Sequence, residues 1–66
     1  MNRPTKKIIL VKNLNEENMH KLEDELSSSL LEYEISLVTR SVSIIGDNDD
    51  LYNAKVILRE NGFLIE

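Results

Sequence analysis

Three residues near the start of a predicted helix have side chains that can bind a metal ion. Glu16 and His20 are four residues apart, so an α-helix brings them to one face, and Met19 is adjacent to His20. A carboxylate and an imidazole at this spacing can chelate zinc, copper(II) or nickel, and a thioether adds a soft donor. The competing interpretation is a solvated acidic helix face with one surface histidine, in which Met19 belongs to the hydrophobic core.

Other kinds of chemistry find little support in the sequence. The chain has no cysteine, which excludes disulfides, thiolate metal sites and thiol nucleophiles. No motif joins His20 to a serine nucleophile or an oxyanion hole, so we expect no enzymatic activity. The acidic stretch Asp47–Asp50 does not fit a calcium loop, because the positions that need glycine and glutamate hold Tyr52 and Leu58. We expect this stretch to cap a helix instead.

Length and charge limit the class of protein. The 66 residues predict one domain, with residues 1–6 as a polar lead-in. The net charge is −4, and the basic residues are dispersed among 12 acidic ones, so we expect binding neither to nucleic acid nor to an anionic membrane. The apolar run Ile8–Val11 is too short for a signal peptide or a membrane span. The expected location is the cytoplasm.

Hydrophobic periodicity predicts the element order β-α-β-β-α-β. The first helix is expected at Glu16–Ser28, because Met19, Leu22, Leu26 and Leu30 form one apolar stripe. The second helix is expected from the 46–50 loop to the stop signal Asn61-Gly62. The four strands are expected at Lys7–Lys12, Tyr33–Leu37, Ser41–Ile44 and Phe63–Ile65.

This order predicts an α+β fold, the ferredoxin-like βαββαβ sandwich. Its four-stranded antiparallel sheet is covered on one face by two helices, because each helix has one apolar stripe to bury. Right-handed crossovers place the first and third strands in the centre and the second and fourth at the edges. The unbroken apolar run Ile8–Val11 predicts that the first strand is covered on both faces or central.

The stretch Val11–Met19 resembles the metal-binding loop of the heavy-metal-associated domains found in copper chaperones and metal-transporting ATPases. That family has a valine, a variable residue, Gly-Met-Thr/Ser and then Cys-x-x-Cys. The end of this chain, Ile57–Phe63, looks like the family's closing helix followed by Gly-Tyr or Gly-Phe. The resemblance covers roughly 7–65 and aligns Asn13 with the glycine, Leu14 with the buried methionine, Asn15 with the Thr/Ser, and Glu16 and Met19 with the two cysteines.

The resemblance implies a metallochaperone scaffold that has lost copper binding, because a carboxylate and a thioether cannot replace two thiolates for copper(I). It implies a non-catalytic module that docks a protein partner through the loop and first helix. That face is acidic and suits a basic partner patch; its residues are Glu16, Glu17, His20, Glu23 and Asp24. The alternatives are a weak divalent metal site at Glu16, Met19 and His20, and self-association through the edge strands.

Overall fold

The computed structural model describes residues 5–66, which form three strands and two helices. The elements are β1 (Thr5–Leu10), α1 (Glu16–Ser28), β2 (Glu32–Ser36), β3 (Ser41–Gly46) and α2 (Asn48–Glu60). β3 lies in the middle of the sheet and pairs antiparallel with both β1 and β2. The chain is therefore a small α+β protein whose architecture is compatible with a ferredoxin-like fold.

The core lies between the helices and one face of the sheet. Leu22 and Leu26 of α1 and Ala54 and Leu58 of α2 are fully buried, together with strand residues that include Ile9, Val11, Val42 and Ile44. Side chains alternate along a strand, so Ile8 and Leu10 lie on the other face, where they are 64% and 46% exposed. The prediction that the first strand is covered on both faces is therefore wrong, because both helices cover the same face.

The predicted four-stranded sheet is also corrected, because the fourth strand is reduced to one bridge between Val11 and Ile65. The Lys12 N–H donates to the Leu64 carbonyl (2.7 Å), and the Glu66 N–H donates to the Leu10 carbonyl (3.1 Å). Phe63 takes no part, because its own N–H closes the end of α2. Over Thr5–Leu10 the first strand is therefore an outer strand of the sheet and not a central one.

Several boundaries differ from the sequence-based ones by one or two residues. β1 begins at Thr5, so residues 5 and 6 belong to the strand and not to a polar lead-in, while residues 1–4 lie outside the described part. β2 begins one residue earlier than predicted, and β3 extends to Gly46. The predicted helix Glu16–Ser28 is confirmed. No helix within residues 5–66 has the length and apolar character needed to cross a bilayer.

Both helices end with a residue in the left-handed conformation. After α2 this residue is Gly62 (φ 83°), as its sequence position predicts. The Gly62 N–H donates to the Arg59 carbonyl and the Phe63 N–H to the Leu58 carbonyl, which is the Schellman pattern. After α1 the corresponding residue is Leu30 (φ 65°). The second helix is thus closed by a glycine and the first by a leucine.

Candidate interaction surface on the first helix

The loop before α1 is attached to the C-terminal segment by the side chain of Asn13. Its Nδ2 donates to the Gly62 carbonyl (3.1 Å), and its Oδ1 accepts from the Leu64 N–H (2.8 Å). One planar amide thus provides both a donor and an acceptor to a neighbouring backbone. Asn13 aligns with the glycine in the resemblance described above, and the structure gives it this bridging role.

Asn15 and Asn18 fix the first turn of α1. The Asn15 Oδ1 accepts from the Asn18 N–H (2.9 Å), and the Asn18 Oδ1 accepts from the Asn15 N–H (2.8 Å), which is a capping box. The Asn18 Nδ2 also donates to the Asn13 carbonyl (2.7 Å). The three asparagines form one network, so the start of the helix is held from both directions. Asn15 is therefore the N-cap of α1.

Two apolar residues anchor the same region in the core. Leu14 is 4% exposed, and Met19 is partly buried against the core cluster. The interpretation of Met19 as a core residue is therefore supported. Glu16 and His20 are both exposed. A metal site that used Met19 together with these two residues would compete with the packing of Met19.

The α1 acidic face is the surface formed by Glu16, Glu17, His20, Glu23 and Asp24. Glu23 is half-buried and the other four residues are exposed. Its first two carboxylates lie in the first turn, where the partial positive charge of the helix N-terminus favours them. The structure therefore brings all five predicted docking residues onto one helix and keeps their charges at the surface.

The carboxylates of this face form no ion pair within residues 5–66. The ion pair found in this part of the chain joins Lys6 Nζ and Glu34 Oε2 (3.1 Å) and lies on the open face of the sheet. Lys21 is the single basic residue within Glu16–Ser28, which also contains five acidic residues. The negative charge of α1 is thus not neutralised by the described part of the chain.

Three or more histidine, aspartate and glutamate side chains do not converge on a common metal position anywhere in residues 5–66. In the acidic loop after β3, Asp47 caps α2: its carboxylate accepts from the Asp50 N–H (3.0 Å). This backbone hydrogen bond lowers the pKa of Asp47 below its ordinary value of 3.8. The Asp50 carboxylate in turn accepts from the Asp47 N–H (3.2 Å). The predicted capping role of this stretch is confirmed.

The two tyrosines have different surroundings. Tyr33 is half-buried against the core, and its hydroxyl donates to the Glu23 carbonyl (3.2 Å), which ties β2 to the middle of α1. Tyr52 is 65% exposed on α2. Tyr33 therefore supports the helix that carries the acidic face, and Tyr52 contributes to the outer surface.

The open face of the sheet is a surface feature that was not predicted from the sequence. Ile8 and Leu10 line it beside Ser41 and Ser43, with which they pair in register. Near its end lies a shallow cleft of about 310 Å³, lined by Leu10, Val11, Lys12, Thr39, Arg40 and Glu66. This face could have been predicted, because two helices on one face of a sheet leave every second residue of each strand uncovered on the other face.

Comparisons of the chain with protein-family models, with curated proteins and with solved structures found no match. The class of the molecule is therefore described by its fold alone. It is a small α+β protein with two helices on one face of a three-stranded antiparallel sheet.

Proposed function

We propose that the chain is a non-catalytic interaction module that binds a basic patch on a protein partner through the α1 acidic face. The observation that supports this is the set of exposed carboxylates on α1 that form no ion pair within residues 5–66. Charges that remain unpaired on one face attract an oppositely charged partner and raise the rate of encounter.

The way in which α1 is held favours recognition by a rigid surface. Asn15 and Asn18 fix its first turn, and Tyr33 is bonded to its middle. A helix that is already ordered loses little conformational entropy when a partner binds. The acidic side chains therefore approach a partner in one arrangement, which favours specificity as well as attraction.

The resemblance to heavy-metal-associated domains is part of the same proposal. Leu14 is buried at the position that aligns with the family's buried methionine, and Asn15 caps α1 at the position that aligns with the family's Thr/Ser. Since Glu16 and Met19 stand where that family has its cysteines, the proposed module is a relative of metallochaperones that no longer binds copper(I). We propose that it acts in the cytoplasm, where a domain without disulfides is at no disadvantage.

Two matched variants test the docking face. The double variant Glu17→Gln, Asp24→Asn removes two carboxylates from α1, and Glu60→Gln, Glu66→Gln removes two exposed carboxylates elsewhere. Each tagged protein is used to recover partners from its native host. We expect the wild type and the second variant to retain a partner protein with a basic surface. We expect the first variant to lose it. Its retention should also fall at about 1 M salt, where the screening length is ~3 Å.

Equal retention by both variants would place the interaction outside the α1 acidic face. Repeated recovery of no partner, with all three proteins folded, would count against an interaction module altogether. Far-UV circular dichroism of the variants is the necessary control, because a misfolded chain would lose partners for an unrelated reason. Both substitutions on α1 lie at exposed positions, so we expect the fold to persist.

The alternative function is weak binding of a divalent metal ion by Glu16, Met19 and His20. Its support is that Glu16 and His20 are both exposed and lie one helical turn apart. A titration with zinc(II) and nickel(II), followed by amide NMR shifts, tests it. Saturable shifts confined to residues 13–24 that disappear in His20→Ala would establish the site, and identical affinity in that variant would exclude it.

A further inference from the structure

The outer edge of β1 has backbone groups that no strand in residues 5–66 pairs. Hydrogen bonds alternate along an antiparallel strand, and the Val11 N–H donates to the Arg40 carbonyl on the β3 side (2.8 Å). The odd-numbered residues of β1 therefore bond to β3, and Lys6, Ile8 and Leu10 direct their N–H and C=O groups outward. The Leu10 carbonyl accepts from the Glu66 N–H, whereas no backbone group of residues 5–66 bonds to the outward groups of Lys6 and Ile8.

The C-terminal segment pairs with this edge at one bridge, Val11 with Ile65. Ile65 is antiparallel to Val11, so its direction of travel leads along β1 from Leu10 toward Lys6. The sheet thus has a position for a fourth strand, with a defined direction and a defined register, and within residues 5–66 it is filled only from Leu10 to Lys12. Ile8, 64% exposed, flanks the empty part of it.

The charge of this edge differs from that of the remaining surface. The first 15 residues of the chain contain four basic residues and no acidic one, whereas the other 51 contain four basic and 12 acidic residues. Lys6, Lys7 and Lys12 belong to or follow β1. An unpaired strand edge binds extended segments through main-chain hydrogen bonds, and its side chains select among them. Lys6 is already paired with Glu34 (3.1 Å), and the Lys7 Nζ donates to the Gly46 carbonyl (3.0 Å). The net positive charge along β1 still favours a segment with acidic residues, whose carboxylates would share these lysines with their present partners.

A second copy of the chain is a poor occupant of the same edge. If Lys6 paired with Ile8 of the partner, Lys7 would lie directly opposite Lys7 of the partner. If Lys6 paired with Lys6 of the partner, like charges would again lie opposite each other. If Ile8 paired with Ile8 of the partner, the second copy would need the place beside Leu10 that Glu66 occupies. Like charges directly opposite each other destabilise a strand pair. Lysines at an edge commonly prevent such pairing.

We infer that the outer edge of β1, from Lys6 to Leu10, binds an extended acidic segment of another protein as an antiparallel fourth strand. This segment places an apolar side chain beside Ile8 and carboxylates beside Lys6 and Lys7. The edge lies on the sheet, away from the α1 acidic face, so the inference is independent of the proposed function.

Amide hydrogen exchange of the full chain, followed by NMR, tests the inference with a short capped peptide. The peptide has a valine designed to face Ile8 and two glutamates designed to face Lys7 and Lys6. In the free protein we expect fast exchange at the Lys6 and Ile8 amides and slow exchange at Lys7 and Ile9. Saturation with the peptide should slow exchange at Lys6 and Ile8 by about tenfold or more.

Two control peptides separate the backbone contribution from the charge contribution. One carries N-methyl groups on the amides that would face β1, and the other has lysines in place of the glutamates. We expect both to bind at least about tenfold more weakly, a change of ~1.4 kcal/mol. On the protein side, Lys6→Gln should weaken binding, whereas Arg59→Gln on α2 should leave it unchanged.

Three outcomes would overturn the inference. The first is equal binding of the N-methylated peptide, which would show that no strand forms. The second is a set of peptide-induced shifts on α1 instead of β1. The third is slow, concentration-dependent exchange at Lys6 and Ile8 without any peptide, which would make a second copy the occupant of the edge.

Discussion

Leu30 occupies, at the end of α1, the backbone position that Gly62 occupies at the end of α2. Each follows the residue that caps its helix, and their φ angles are 65° and 83°. The side chain of Leu30 is 94% exposed, so burial does not compensate for the conformation. The left-handed region costs a residue with a Cβ atom about 1–2 kcal/mol. The first helix therefore ends with local strain that the second avoids.

We predict that Leu30→Gly raises the free energy of unfolding by roughly 0.5–1 kcal/mol. The relief of about 1–2 kcal/mol of strain exceeds the added entropy of the unfolded chain, about 0.4–1 kcal/mol for glycine. Urea denaturation of the wild type and the variant measures the difference. The exposed leucine loses no packing when it is removed, so strain is the main quantity that changes.

The reverse substitution, Gly62→Leu, is the matched control for Leu30→Gly. A Cβ atom at Gly62 meets no other atom within 4 Å, so the change adds strain without a clash. We expect a loss of stability of about the same size, ~0.5–1 kcal/mol. If Leu30→Gly destabilises the protein, the backbone at Leu30 is not strained and the comparison of the two helix ends is wrong.

We predict that Asn13→Ala lowers the free energy of unfolding by about 1 kcal/mol, because it removes two hydrogen bonds to the C-terminal segment. The amide of Leu64 should exchange faster with solvent, since it loses its acceptor. Asn13→Asp is the informative control. It keeps the oxygen that accepts from Leu64 and loses only the donor to Gly62, so it should protect Leu64 better than alanine does.

The pKa of Asp47, lowered by the hydrogen bond from the Asp50 N–H, makes the stability of the protein depend on pH. A carboxyl group with a depressed folded-state pKa stabilises the fold above its ordinary pKa of 3.8, and the effect is lost as pH falls through the depressed value. Asp47→Asn keeps a capping side chain but has no charge. We therefore expect it to be less stable than the wild type at neutral pH and equally stable in strong acid.

Glu60→Gln makes the same change of charge at a position that caps no helix. We expect its unfolding curve to follow that of the wild type without the acid-dependent difference seen for Asp47→Asn. Chemical denaturation at a series of pH values compares all three proteins. A constant gap between the wild type and Asp47→Asn at every pH would show that the ionised form of Asp47 has no special role.

Gly46 leaves space for the capping side chain of Asp50. A Cβ atom at Gly46 would collide with the Asp50 carboxylate, which accepts from the Asp47 N–H. We predict that Gly46→Ala costs about 1 kcal/mol, because the carboxylate must leave its partner. In an Asp50→Ala background the same change should cost much less, and a double-mutant cycle measures the coupling. Additive effects would contradict the role assigned to Asp50.

Local signals predicted the helices well. The limits of α1 follow from Asn15 as the cap and from the spacing of Leu22 and Leu26, which are properties of neighbouring residues. The end of α2 follows from Gly62, which adopts the left-handed conformation without strain. The acidic face could be predicted for the same reason, because the spacing of its residues on a helix decides where they lie.

The strands were harder to predict because their surroundings are not local. The run Ile8–Val11 is equally apolar at every position, so only the arrangement of both helices decides that Ile9 is buried and Ile8 exposed. The fourth strand was predicted from the apolar residues 63–65. Phe63 is 4% exposed and its N–H closes α2, so it is not available to pair in a strand. The bridging role of Asn13 depends on residues about 50 positions away.

The attachment of the C-terminal segment by Asn13 has a consequence for the order of folding. Its two side-chain bonds join residues 49 and 51 positions apart, so they close a long loop. Closing such a loop costs entropy before any contact repays it. The helices and the hairpin of β2 and β3 can form first, and the loop before α1 meets the C-terminal segment last. The same segment should then be the first to open in the native state.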